Sequence, residues 1–128
     1  MSKIVLDASA ILAVILQEPG YERLTPALLA KTFASTVNLA EVQAKLVMRG
    51  WSSEEAWEDA TSPVHEPVPF GEDQARIAGD LITSTRHLGL SLGDRSCLAL
   101  AIALNAPVYT ADRSWTGLKL KTRVHIIR

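Results

Sequence analysis

Lys3-Ile4-Val5-Leu6-Asp7, followed by the apolar run Ala8 to Leu16, is the stretch on which the reading of this chain turns. Consecutive apolar residues without alternation read as a strand buried on both faces, the habit of parallel sheets. The same arrangement returns late in the chain, where Pro107-Val108-Tyr109-Thr110-Ala111 runs into Asp112. Twice, then, an acid stands just past a buried strand and just before a helical pattern. In an open α/β sheet that position is the edge where ligands bind.

Working outward, strand-like runs occur near Lys3–Leu6, Phe33–Ser35, His65–Phe70, Pro107–Thr110 and Arg123–Ile127. Helical patterns lie between them, near Ala8–Leu16, Tyr21–Ala30, Val37–Arg49, Ser53–Thr61, Glu72–Thr85 and Asp94–Asn105, with a short one after Arg113. Pro19-Gly20, Gly50, Ser62-Pro63 and Gly71 supply the punctuation. The Asp94–Asn105 segment is apolar nearly all round, which predicts burial on most sides. Strands joined through helices imply parallel pairing with right-handed crossovers. The expected fold is therefore α/β, a three-layer α/β/α sandwich with a central, mainly parallel, five-stranded sheet, built as a single domain over residues 1–128. The pair of helices before the Pro107 strand leaves open whether Asp94 reaches the same edge as Asp7.

The composition agrees: 128 residues suit one core, and 48% hydrophobic with 5% aromatic points to Ala, Leu, Ile and Val packed between helices and sheet. The one cysteine, Cys97, excludes an internal disulfide and a Cys-based zinc site. It suits a reducing compartment, so a cytoplasmic protein is expected. The apolar stretch Ile4–Leu16 is interrupted by Asp7, lacks a small-residue cleavage site after it, and is shorter than the roughly 20 residues that span a bilayer. Neither export nor membrane insertion is expected. The net charge of −1 hides an asymmetry, because residues 113–128 carry Arg113, Lys119, Lys121, Arg123 and Arg128 with no acid. Such a basic end either places cations near a carboxylate cluster for a polyanion or is a solvated face.

Two further acids stand near helix starts, in Ser35-Thr36-Val37-Asn38-Leu39-Ala40-Glu41 and Ser91-Leu92-Gly93-Asp94. Each acid has a structural explanation: Asp7 and Asp112 as N-caps, Asn38 to Glu41 as a capping-box variant, Ser91 to Asp94 as a capping box with Asp in place of Glu. Together they are harder to explain, since helices that follow parallel strands aim their N-termini at one sheet edge. Two carboxylates about 4 Å apart repel by about 1 to 4 kcal/mol at effective dielectrics of 80 to 20. A divalent cation or shared protons would relieve that, and an all-oxygen site selects Mg²⁺ or Mn²⁺ over zinc.

At this point the sequence resembles the PIN-domain ribonucleases, and within them the VapC-type toxins of type II toxin–antitoxin pairs. The likeness rests on Ile4-Val5-Leu6-Asp7-Ala8-Ser9-Ala10, Asn38-Leu39-Ala40-Glu41-Val42, Ser91-Leu92-Gly93-Asp94-Arg95-Ser96-Cys97-Leu98-Ala99-Leu100-Ala101 and Val108-Tyr109-Thr110-Ala111-Asp112, in order along nearly the whole chain. The resemblance implies a Mg²⁺- or Mn²⁺-dependent endoribonuclease, dimeric, inhibited by a small cognate antitoxin. It further implies that Asp7 and Asp94 are direct metal ligands, that Glu41 completes the site directly or through water, and that Asp112 holds a second ion or orients a coordinated water. Ser9 matches a hydroxyl that orients a carboxylate or contacts a phosphate, with helix capping as its other explanation, and Thr110 is of the same kind. Arg95 and Arg113, each beside an expected ligand, either meet substrate phosphates or balance local charge. Hydrolysis by water activated at the metal would leave a 3′-hydroxyl and a 5′-phosphate.

Other residues are set aside. His65, His87 and His125 share no spacing that makes a metal or catalytic pair, and Cys97 reads as core. Trp51 and Trp57 serve a core or a partner. By resemblance, the side formed by the helices at Tyr21–Ala30 and Ser53–Thr61 takes the antitoxin. The expected function is thus an endoribonuclease toxin cleaving structured RNA. A PIN ribonuclease of RNA maturation or decay without an antitoxin is the near alternative, and a non-catalytic metal- or RNA-binding module a more distant one. A phosphoryl-accepting receiver module is disfavoured, because it needs adjacent acids after the first strand and a lysine after the last, whereas this chain has Asp7-Ala8.

Overall fold

The computed structural model describes residues 2–128. Strand β1 (Ile4–Leu6) feeds helix α1 (Ala8–Leu16), and a 3₁₀ turn at Tyr21–Arg23 precedes α2 (Pro26–Leu29). Then come β2 (Thr32–Ser35), α3 (Thr36–Met48), α4 (Ser53–Thr61), β3 (Glu66–Val68), α5 (Glu72–Asp80) and α6 (Ile82–Thr85). After a 3₁₀ turn at Arg86–Leu88 follow α7 (Leu92–Leu104), β4 (Val108–Thr110), a 3₁₀ turn at Arg113–Gly117 and β5 (Val124–Ile126). The five strands pair in parallel in the order β3-β2-β1-β4-β5. The fold class expected from the sequence is the one observed.

Successive residues of β1 serve opposite faces, as strand geometry requires. Leu6 joins a core with Ala10, Ile11, Leu39, Val42, Leu46, Ala56 and Ala60, so α1, α3 and α4 cover one side. Val5 joins the other with Leu81, Cys97, Leu98, Leu100, Val108 and Trp115, under α7 and its neighbours. Pro67 lies inside β3, which is tolerable because β3 is an edge strand.

Four sequence expectations need correction. The single helix expected over Tyr21–Ala30 is two short pieces, because Thr25 caps a new start through the Leu28 N–H and Pro26 opens α2. The helix expected over Glu72–Thr85 breaks at Leu81 into α5 and α6. Helix α3 begins at Ser35, whose hydroxyl accepts from the Val37 N–H, so Asn38 is not an N-cap and Glu41 lies in the second turn. Helix α7 is buried on most sides as expected, yet Ile102 is exposed. The expected strands keep their places, β2 gaining Thr32 and the other four shorter at their ends, with His65 just ahead of β3.

Topology places the acids. Strand β1 has β2 on one side and β4 on the other, so the chain departs in both directions from it, which opens a crevice beyond its carboxyl end. Helices α1 and α3 leave that edge, and α7, which leads back into β4, starts there because a crossover helix runs antiparallel to the strands it joins. Asp94 therefore reaches the edge that holds Asp7.

Candidate functional site

Asp7 is the N-cap of α1, its Oδ1 accepting from the Ala10 N–H at 2.8 Å. Its carboxylate is buried and takes two hydroxyls as well. Ser9 Oγ lies 2.8 and 2.9 Å from the two carboxylate oxygens, and Thr110 Oγ1 donates to Oδ2 at 2.5 Å. The same hydroxyls accept from the backbone across the crevice, Ser9 Oγ from the Ala111 N–H at 2.9 Å and Thr110 Oγ1 from the Asp112 N–H at 3.0 Å. Ser9 and Thr110 thus orient Asp7 while fastening β4 to α1.

Glu41 is held from α3 by its own turn. Asn38 Nδ2 donates to Glu41 Oε1 at 2.9 Å and to the Gly93 carbonyl at 2.9 Å, which locks α3 against the start of α7. Gly93 leaves room for Glu41, because a Cβ there would run into the Glu41 carboxylate. Asp94, next in sequence, closes a capping box: the Ser91 N–H donates to its Oδ2 at 2.9 Å, and its own N–H donates to Ser91 Oγ at 3.1 Å. Asp112 caps the turn at Arg113–Gly117 by accepting from the Ser114 N–H at 2.9 Å.

Electrostatics shows which acids converge. Burial pushes the Asp7 carboxyl from 3.8 up to about 6, against the lowering pull of Thr110, Ala10 and Ser9, and Asp94 pushes the same way as burial. Beneath them the buried Cys97 thiol is driven far up, first by burial and then by Asp7, Asp94 and Glu41. All three carboxylates are thus close enough to act on the one buried thiol. Asp112 joins through Thr110, which bonds both it and Asp7. Among the described residues the sole ion pair is Arg128–Glu18, so no basic side chain neutralises the group.

The donor set fits a hard divalent cation in kind: oxygen ligands only, unneutralised, at a depth that penalises the free anion of Asp7. Asn38 Oδ1, buried with no hydrogen-bond partner, adds an unused acceptor beside them. Among the described residues, no three Asp, Glu, His or Cys side chains already stand in coordinating reach of a shared ion.

The remaining sequence candidates lie elsewhere. Arg95 Nη1 donates to the Ala78 carbonyl at 2.8 Å, committing its guanidinium to α5. Arg113 is exposed at the turn after Asp112. The rest of the basic C-terminal stretch is divided: Lys121 and Arg123 line a cleft with Asn105 and Pro107 at the opposite, amino-terminal edge of the sheet, whereas Arg128 lines a cleft that reaches Ser9. Trp51 is half-buried and donates to Asp59 Oδ2 at 2.7 Å, whereas Trp57 is exposed. His125 stacks on Tyr109 with ring centroids 4.7 Å apart. Two residues not singled out for the site belong to it, Asn38 and Gly93. Each carried a signal, a polar residue inside the apolar opening of a helix and a glycine inside a helical pattern.

The acids thus stand at the switch point of a parallel sheet, where open α/β folds bind their ligands. The chain belongs to the PIN-domain family, which it matches over residues 4–119. Among solved structures it is similar to a chain of the DNA-bound VapBC complex of Salmonella typhimurium, with a TM-score of 0.77, 16% identity and all of both chains covered. It is similar too to a chain of VapBC2 from Rickettsia felis bound to a promoter DNA fragment, with a TM-score of 0.70, 24% identity, and 94% of this chain and 96% of that one covered. VapBC-5, a toxin–antitoxin family member from Mycobacterium tuberculosis, gives a TM-score of 0.63 at 23% identity over 100% of this chain and 99% of that one. At these identities the likeness is one of fold. None of the curated proteins matches the chain.

Proposed function

We propose that this chain, read as one PIN domain over residues 1–128, is an endoribonuclease of the VapC type, the toxin of a toxin–antitoxin pair, cleaving structured RNA with one or two Mg²⁺ or Mn²⁺ ions. The observation that supports the proposal is that Asp7, Glu41 and Asp94 stand at one sheet edge, Glu41 lying against Gly93 beside Asp94 and Asp94 acting on Asp7, with no basic side chain paired to any of them. Asp7, Asp94 and Glu41 would hold the ion, and Asp112 would hold a second one or orient water. When bound, such an ion supplies an activated water and neutralises charge that builds on the phosphate. The chain's own residues do the rest. Ser9 and Thr110 fix the carboxylate plane of Asp7 and keep its anion available despite burial. Asn38 holds Glu41 and keeps α7 at the distance that brings Asp94 alongside. Cys97, buried below, is core.

The partner assignments belong to the same proposal. Between α1, α2 and α4 lies a cleft of about 310 Å³ walled by Val14, Ile15, Leu29 and Pro63, on the side expected to receive an antitoxin. The toxin–antitoxin pairing of the similar Klebsiella pneumoniae complex supports this partner. A homodimer is proposed with it, and the exposed apolar side chains Leu92, Ile102 and Ile82 are available for such a contact. No helix among the described residues is long and apolar enough to cross a membrane, and we place the protein in the cytoplasm.

The test is to express the chain and its Asp94→Asn variant in cells and map new RNA 5′ ends. Cuts bearing 5′-phosphates, abolished in a folded Asp94→Asn protein and by EDTA in vitro, are expected. A 2′,3′-cyclic phosphate product, or full activity in EDTA, would overturn the proposal.

A further inference from the structure

The acidic centre opens onto a second feature of opposite sign. A cleft of about 230 Å³ begins at Ser9, whose hydroxyl bonds Asp7, and continues past Leu12 and Leu16 to Lys45, Arg49 and Arg128, with Glu18 its one acid. Lys45 and Arg49 follow Glu41 at one and two helical turns along α3, so they stand about 6 and 12 Å farther along its axis. Both are exposed, and neither has an acidic partner among the described residues. Lys45 is unpaired even with Glu41, four residues before it, where such a pair is easily made. Arg128 touches only Glu18, at 3.8 Å with both side chains more than a third exposed, a contact of little strength that a competing anion replaces easily.

We propose that Lys45, Arg49 and Arg128 form a phosphate track that holds the RNA strand beside the cut, running from Ser9 along α3. The proposal rests on the nuclease reading above and adds to it where the substrate lies. A strand of phosphates offers negative charge at a regular interval, and cations on successive helical turns answer it. The arginine fork suits a phosphate in particular. Contacts of this sort fix register without reading sequence, which is what a centre that must bring one phosphodiester to Asp7 requires. A polyanion at this cleft also explains why the basic side chains stop short of the carboxylates, since a cation among them would displace the metal. An acidic peptide is the competing occupant and has no regular spacing to match the two turns of α3.

The test uses the full-length chain carrying Asp94→Asn, a mixed-sequence single-stranded RNA oligonucleotide, and a salt titration of its affinity. Lys45→Gln/Arg49→Gln is expected to weaken binding at least tenfold and to lower the slope of log affinity against log salt by about 0.7 per phosphate contact removed, the single-strand value. The control Lys121→Gln/Arg123→Gln makes the same change of charge at the opposite sheet edge, and affinity and slope are expected to stay at the parent values. In the chain with Asp94 intact, the α3 double variant is expected to raise KM far more than it lowers kcat. Equal losses in both double variants, or an unchanged slope in the α3 variant, would overturn the track. Loss of poly-glutamate binding with RNA binding retained would also overturn it, in favour of an acidic protein segment. If the chain never cuts RNA yet the α3 variant alone flattens the slope, the track stands and the nuclease reading falls. If the chain cuts and the slope is unmoved, the reverse holds.

Discussion

A side chain at Gly93 fits only if Glu41 swings aside, because the Glu41 carboxylate occupies the place its Cβ would take. A helix otherwise disfavours glycine by about 0.5–1 kcal/mol relative to alanine, so the close approach of α3 and α7 is what the residue serves. Gly93→Ala is expected to displace Glu41 from Asp94 while helix propensity offsets part of the crowding cost of about 1–3 kcal/mol. Cleavage should fall at least tenfold with a melting temperature near that of the parent. Calorimetry and a cleavage assay on the same preparation check it, and a fully active Gly93→Ala protein would remove Glu41 from the proposed machinery.

Without a bound cation, the stability of the chain should fall as pH rises through the window set by Asp7. The carboxyl titrates at 3.8 when unfolded and at about 6 when folded, so the native state holds a proton that the unfolded chain has released. Its stabilising contribution is complete below about pH 4 and is lost as pH climbs through about 6, a span worth about 3 kcal/mol. Urea denaturation in EDTA from pH 4 to 8 should show the decline, and Asp7→Asn should flatten it.

Thr110→Val is expected to cost about 1–3 kcal/mol, since it strips a donor from a buried carboxylate and leaves the Asp112 N–H without its acceptor. Because that hydroxyl holds the Asp7 carboxyl down, its removal should shift the pH-dependent decline to higher pH. Thr110→Ser should restore both quantities, whereas a purely steric role for Thr110 would favour valine over serine.

Mn²⁺ or Mg²⁺ should stabilise the folded chain at pH 7, by about 2.7 kcal/mol at a hundredfold excess over Kd. Asp7→Asn and Asp94→Asn should each abolish most of that gain. Thermal denaturation across a Mn²⁺ titration is the measurement, and it reads ion binding independently of any cleavage.

Much of this was legible in the sequence, for reasons that differ by residue. Asp7 and Asp112 announced themselves because an acid directly after a buried apolar strand has one place to be in a parallel sheet. Ser91 and Asp94 carried their helix start in a capping-box spacing, and α1 and α4 were bounded correctly by residues that cap or stop helices. Glu41 was picked out by its place near a helix start, but its local reading was off by three residues: β2 passes straight into α3 at Ser35, leaving no loop to mark the boundary. The break at Leu81 has no composition signal, whereas Pro26 did signal the restart of α2. The basic end was left open between two readings because a charge count carries no geography, and β5 runs from the far edge of the sheet to the near one. Asn38 escaped notice as a site residue because its importance lies in a carbonyl 55 residues away.

The bond from Thr110 to Asp7 spans 103 residues. Closing so long a loop is slow compared with local helix formation. A chain still emerging from the ribosome can wind α1 and α3 but has no β4 to anchor its first acid. Whatever chemistry the acidic edge performs therefore waits on a strand made late in synthesis, and a nascent chain lacks the bond that sets its first acid.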